Sequence, residues 1–165
     1  IDLDSEDQIK ISIDEYMRMI KKKTGSLLDL SLEAPQLISD KNIKLEKYSL
    51  LGPAFQIRDD LLDFEEGKGR GKIGNDVRAG KRTLMVIHAD DQEVYNILDK
   101  PFEETTKEDI EKVKKILEDK GSIEFARNKM EELGNEALGS LSNLPDTEEK
   151  KKLEELGKFL IKRQK

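Results

Sequence analysis

The chain has 165 residues, 40% of them charged and 35% hydrophobic, with 30 Lys and Arg against 36 Asp and Glu for a net charge of −6. That length suits one domain with a modest core, and the acidic balance weighs against nucleic acid as the main partner. With no cysteine and a single histidine, thiol chemistry, disulfides and cysteine-ligated zinc are excluded, and no Ser/His hydrolase site is suggested beyond His88 itself.

Four prolines and eleven glycines, with abundant Lys, Glu and Leu, fit surface-rich helices better than disorder, so an all-α helical chain is expected. No run approaches the roughly 18 consecutive apolar residues of a membrane span, and no basic and apolar leader opens the chain. A soluble, cytoplasmic protein is the expectation. In chain order, residues 9 to 34 carry Ile11, Ile13, Tyr16, Met17, Ile20, Leu27, Leu28 and Leu30, largely three and four apart, which predicts one helix or two helical pieces. Pro35 ends or bends it, because proline lacks the N–H that continuation requires. A second stretch runs from about Lys41 to Phe64 through Leu45, Tyr48, Leu51, Phe55, Leu61 and Leu62. Pro53 interrupts it, with either a kink near Gly52 or a restart that places Pro53 in a first helical turn.

Residues 65 to 80 are expected to form a loop, since Gly67, Gly69, Gly71, Gly74 and Gly80 would each cost about 1 kcal/mol against Ala inside a helix. A third helix starts near Arg82 and includes Leu84, Met85, Ile87 and His88. Beyond Pro101, 30 of the last 65 residues are charged, and Thr106 to Lys120, Ser122 to Gly139 and Pro145 to Arg163 read as amphipathic helices. Ser122-Ile-Glu-Phe and Pro145-Asp-Thr-Glu offer helix-start chemistry. No repeat, low-complexity tract or long linker divides the chain, so residues 1–165 are treated as one portion of one domain. Its site-bearing region is 1–100 and its charged C-terminal helices are 101–165.

The strongest local signal is Gln56, Asp59, Asp60 and Asp63, set among Phe55, Ile57, Leu61, Leu62 and Phe64. On a helix these four positions share one face, a stripe of three carboxylates and an amide with no Lys or Arg to offset it. Hard divalent ions take such oxygens, and Mg2+ uses one or two carboxylates plus water and substrate phosphate. The same spacing also occurs on ordinary surface helices. Just downstream, between Gly67 and Arg82, lie six bases, Lys68, Arg70, Lys72, Arg78, Lys81 and Arg82, against one acid, Asp76, a local charge of +5. By itself this is a solvated basic loop. Next to the acidic stripe it is the counterpart that a Mg2+-diphosphate needs, cations for the charge that the metal does not neutralise. No Gly-x-x-x-x-Gly-Lys-Ser/Thr follows a strand, so a P-loop is not supported. Lys21-Lys22-Lys23-Thr24-Gly25 reads either as a solvated basic patch or as a helix turn placing Lys23 and Thr24 toward the cavity of Asp59.

Phe55-Gln56-Ile-Arg-Asp59-Asp60-Leu-Leu-Asp63, followed by Gly71-Lys72-Ile-Gly74-Asn-Asp76-Val-Arg-Ala-Gly80-Lys81-Arg-Thr83, resembles the second aspartate-rich motif and lysine loop of trans-isoprenyl diphosphate synthases, the geranylgeranyl and farnesyl diphosphate synthase family. Tyr16-Met-Arg-Met19-Ile20-Lys-Lys-Lys23-Thr24-Gly25-Ser-Leu27 is similar to that family's lysine-threonine helix. The resemblance implies part of an isoprenoid-synthase helical bundle. Asp59, Asp60 and Asp63 would hold Mg2+, with Asp59 as a direct ligand. Lys23, Lys72 and Lys81 would bind the allylic diphosphate, and Thr24 and Gln56 would line the reacting end of the allyl chain. The implied reaction joins isopentenyl diphosphate to an allylic diphosphate, in an enzyme that is a homodimer when intact. The family's first aspartate-rich motif, with its two arginines, and the upstream lysine and arginine that hold isopentenyl diphosphate are absent from this sequence. Family chains are about twice this length, and Ile1-Asp-Leu resembles a point just past their middle. A C-terminal half, inactive in isolation, is therefore expected. A binding or regulatory subunit of a heteromeric synthase is the alternative, and a helical interaction protein with a solvated acidic face is a third reading. His88 is assigned no role beyond packing.

Overall fold

The computed structural model describes residues 11–39, 45–65 and 73–162, and every regular element among the described residues is helical. Helix α1 (Ile13–Ile20) starts on a reciprocal capping box: Ser12 Oγ accepts from the Glu15 N–H at 3.2 Å, and the Glu15 carboxylate accepts from the Ser12 N–H at 2.9 Å. It buries Tyr16 and Ile20 and passes into one widened π turn, Lys21–Gly25, before α2 (Ser26–Ser39). Ser26 Oγ donates to the Lys22 carbonyl at 2.6 Å within that turn. The helix continues through Pro35 to Ser39, so Pro35 does not end it.

The predicted second stretch is divided in its described part. Residues 40–44 lie outside the described residues; a 3-10 turn, Glu46–Leu50, leads into α3 (Leu51–Leu62). Pro53 falls in the first turn of α3, where its missing N–H costs little, so the restart replaces the kink. The π turn lies against this start. A Cβ on Gly52 would sit 2.8 Å from the Gly25 nitrogen and 2.9 Å from both Gly25 Cα and Thr24 C, so the two backbones touch where neither glycine carries a side chain.

Helix α3 is the central element, burying Leu51, Ala54, Ile57, Leu61 and Leu62 together with Asp60. It lies along α8 (Ser122–Gly139), which contributes Ala126, Met130, Leu133 and Ala137. Fully burying each such large apolar side chain stabilises the fold by about 1.5–3 kcal/mol. Between them come α4 (Asn75–Arg78), α5 (Leu84–Ala89), α6 (Gln92–Leu98) and α7 (Lys107–Asp119). Tyr16, Ile57, Leu84, Val94, Val113 and Met130 share the main core. A smaller cluster of Tyr48, Leu51, Ala137 and Leu141 lies beside α9 (Glu148–Lys162), where Tyr48 Oη donates to the Leu153 carbonyl at 2.7 Å.

Three expectations need correction. The glycine-rich loop contains α4, whose N-terminal amides are held by a carboxylate twelve residues upstream. The segment after Ala89, read without an element, holds α6, capped by Asp91, which accepts the Glu93 N–H at 2.9 Å. Ser122 does not cap α8. Gly121 takes that place at φ +67, in the left-handed region that glycine enters without strain. The C-terminal helices otherwise fall close to their expected spans, and Thr106 caps α7 in a second capping box with Asp109.

Replacing Gly52 with Ala is expected to destabilise the fold by about 1–3 kcal/mol, because the new methyl meets backbone atoms that cannot rotate away. Urea unfolding measures this, and a loss below about 0.5 kcal/mol would disprove the tight contact. The Asp109 carboxyl is held down at about 2, first by Lys100 and then by the Thr106 N–H. A depressed acid stabilises the fold fully above its unfolded value of about 3.9 and loses that contribution as the pH falls further. Asp109→Asn should therefore lower the urea midpoint at neutral pH, with a penalty that shrinks as the pH falls from about 4 towards 2. A penalty constant with pH would contradict the coupling.

Candidate functional site

The acidic stripe of α3 does not face outward as a set. Asp60 is only 5% exposed and is gripped on both oxygens: Oδ1 accepts from Gln56 Nε2 at 3.0 Å and Oδ2 from Tyr16 Oη at 2.9 Å. Burial pushes its pKa up to about 6, against the lowering effect of those two hydrogen bonds. The Tyr16 phenol is pushed strongly upward by burial and by the Asp60 charge, so it remains a protonated donor.

Asp63, one turn on, closes the loop. Its Oδ1 accepts the Asn75 N–H at 3.1 Å and its Oδ2 the Asp76 N–H at 2.9 Å, while its own carbonyl accepts the Gly74 N–H at 3.1 Å. Burial raises its pKa, and these backbone donors oppose the rise. Asp59 is part-buried on the same helix. Beside it, Arg58 makes a two-pronged pair with Glu65, Nη1 to Oε1 at 2.9 Å and Nη2 to Oε2 at 3.3 Å.

Lys81 pairs with Asp76, which raises the lysine's pKa, and the charges of Asp60 and Asp63 raise it further. The sequence therefore brings Gln56, Asp60, Asp63 and Lys81 into one neighbourhood. Lys23 is exposed and Thr24 part-buried on the π turn, which packs on the first turn of α3. Among the described residues, no hydrogen bond or ion pair joins either to the stripe. Lys72 lies outside the described residues, as do Lys68, Arg70, Gly67, Gly69 and Gly71.

Sequence reasoning missed the bond of Tyr16 to Asp60 and the pairing of Asp76 with Lys81. Tyr16 sits seven and eight residues before Lys23 and Thr24 on the apolar stripe, where a hydroxyl-bearing ring needs a buried partner, and that was the available signal. His88 sits in the α5–α8 contact, its Nδ1 2.9 Å from Ser122 Oγ and its ring stacked on Phe125 at 4.0 Å.

The donors are carboxylate and amide oxygens, the chemistry of a hard cation. Among the described residues, no three acid or histidine side chains converge to hold a metal. Both oxygens of Asp60 and of Asp63 already accept hydrogen bonds, although each keeps a further lone pair. The set fits a divalent cation held by one or two carboxylates and completed by ligand oxygens and water, and does not fit a cage built by this chain.

Among the described residues, no helix is long and apolar enough to cross a membrane. The family model for polyprenyl synthetase matches residues 1–120. The geranylfarnesyl diphosphate synthase of Natronomonas pharaonis is 34% identical across 99% of this chain and 50% of its own length. The geranylgeranyl pyrophosphate synthase of Geoglobus acetivorans is 32% identical across 99% of this chain and 53% of its own. The crystal structure of geranylgeranyl pyrophosphate synthetase from Pyrococcus horikoshii superposes with a TM-score of 0.82 at 32% identity, covering 94% of this chain and 50% of that one. The chain thus spans about half the length of the relatives it matches. With the motif residues of α3, the loop behind it and the helical fold in agreement with these matches, the chain belongs to the polyprenyl synthetase family.

Proposed function

We propose that residues 1–165 form the C-terminal portion of a short-chain isoprenyl diphosphate synthase and carry the part of the site that binds the allylic diphosphate as its Mg2+ complex. The observation that supports this best is the buried Asp60, held by neutral donors with the Lys81 charge reaching it. A carboxylate kept charged without a paired base is suited to a cationic ligand.

In this reading Asp59, with Asp60 and Asp63 directly or through water, holds Mg2+, and Lys23, Lys72 and Lys81 neutralise the diphosphate oxygens. When bound, the metal supplies charge neutralisation on the leaving diphosphate. The hard step is breaking the allylic carbon–oxygen bond, and fixed lysines help most where charge grows on the departing group. Gln56 commits its Nε2 to Asp60, leaving its carbonyl oxygen as the end available to developing positive charge, with the Thr24 hydroxyl as a second dipole. The isopentenyl double bond then attacks the allylic cation, and loss of a proton restores the alkene.

The remainder of such a site comes from outside this sequence, so the 165-residue chain is expected to bind without condensing. Its exposed apolar side chains support self-association: Leu27, Leu30, Leu37 and Ile38 on α2, the last two 85% and 88% exposed, with Leu156 and Phe159 on α9.

Calorimetry and thermal melts of the purified chain test the reading. Mg2+ with inorganic pyrophosphate should raise the melting midpoint, by the equivalent of about 2.7 kcal/mol at a ligand concentration near 100 times the dissociation constant. Chelation should abolish the shift. Asp59→Ala should weaken binding by about tenfold or more, the loss of one charge-assisted contact. No binding by the parent chain would refute the proposed function. Incubated with Mg2+, isopentenyl diphosphate and geranyl diphosphate, the chain should give no product, and light scattering should report a mass above the monomer. Turnover by the chain would overturn the assignment to half a site.

A further inference from the structure

We infer that Tyr16 is a positioning residue for the diphosphate site, its hydroxyl fixing the Asp60 carboxylate and latching α1 to α3. The inference rests on the reading that Asp60 serves a Mg2+-diphosphate, and it goes beyond that reading by giving a role to Tyr16, which opens the lysine-threonine segment and has none in that reading.

Tyr16 is 3% exposed and belongs to the main apolar core, so no water competes for its hydroxyl. That hydroxyl donates to Asp60 Oδ2 at 2.9 Å. This bond therefore links the helix of the acidic stripe to the helix that leads to Lys23 and Thr24. The π turn makes this link matter. A widened turn resets the rotational phase of every residue after it, so the facing of Lys23 and Thr24 depends on where the turn is pinned. Tyr16 pins the side before the turn, and the contact of Gly25 on Gly52 pins the other.

The choice of group is also informative. A lysine or arginine in this place would orient Asp60 but cancel its charge. A phenol and an amide orient it and leave the charge for the ligand. Groups of this kind behind a metal-binding carboxylate cost about 10–100-fold in affinity when removed.

Tyr16→Phe keeps the ring packing and removes only the hydroxyl. Titrated with inorganic pyrophosphate in the presence of Mg2+, the Tyr16→Phe chain should bind about tenfold more weakly than the parent. Pyrophosphate affinity without metal, which rests on the lysines, should change by no more than about twofold. In an Asp60→Asn background the same substitution should add nothing, because the two act through one contact. Equal Mg2+-dependent binding by parent and Tyr16→Phe would overturn the inference while leaving the proposed function intact. So would a Tyr16 effect that persists in full in the Asp60→Asn background. Failure of the parent to bind at all would remove the functional reading and this inference with it. Should Tyr16→Phe not fold, hydroxyl-proton exchange of Tyr16 in the parent decides: a hydroxyl held on Asp60 exchanges slowly, and exchange at the rate of a free phenol refutes the latch.

Discussion

A carboxylate placed inside a helical core is the constraint around which the rest is arranged. Asp60 sits among Ile57, Leu61 and Leu62 on α3, and burial by itself favours its neutral form. Leaving such a group unpaired would cost several kcal/mol, and pairing it with a buried base would remove its charge from use. The fold adopts a third solution, one neutral donor on each oxygen. Gln56 supplies the first from the preceding turn of the same helix, and Tyr16 supplies the second from 44 residues away. The second bond is the demanding one, since it fixes α1 against α3 to within hydrogen-bond tolerance.

Asp63 solves a related problem for the chain that follows. Where the described chain resumes at Ile73, its return to the core is anchored on Asp63. The carboxylate and carbonyl of Asp63 accept three consecutive amides, those of Gly74, Asn75 and Asp76, and this ends the loop in the short helix α4. Asp76 then holds Lys81, and α5 starts soon after, at Leu84. The charge pattern is thereby spatial: acids are held inward by uncharged donors, while Lys81 stands at the rim, 58% exposed at its side chain.

Much of this was legible in sequence wherever one residue type at one period settles the matter. The helices after Pro101 announce themselves by amphipathic spacing and local caps, and α8 spans Ser122–Gly139 as read. The shared face of Gln56, Asp59, Asp60 and Asp63 follows from helical geometry, and the motif order around it was enough to identify the family. What sequence did not show was non-local. The cap of α4 comes from Asp63 across the loop, and the π turn is matched to a backbone contact between Gly25 and Gly52. The inward turn of Asp60 depends on a tyrosine that period alone marks as core. Even the start of α8 illustrates this: Ser122 looks like a cap but is fully buried against His88, so Gly121 must take the cap.

The distribution of exposed apolar surface follows from the same arrangement. α3 is covered by α8 and α9, and α1 is drawn in by Tyr16 and Ile20, so the interior of this unit packs around α3. On α2 the positions Leu27, Leu30, Leu37 and Ile38 lie on one side of the helix, beyond the turn that carries Lys23 and Thr24, and are exposed. Leu28, facing the other way, packs into the cluster of Tyr48 and Leu51. The helix is thus amphipathic with respect to this unit and apolar on both sides, the pattern of an element built to be covered twice. Its inner side is fixed by residues of this chain. The outer side runs on from the turn bearing Lys23, so under the proposed function whatever covers it would also border the site, and a group seated there would limit how much water reaches a bound diphosphate.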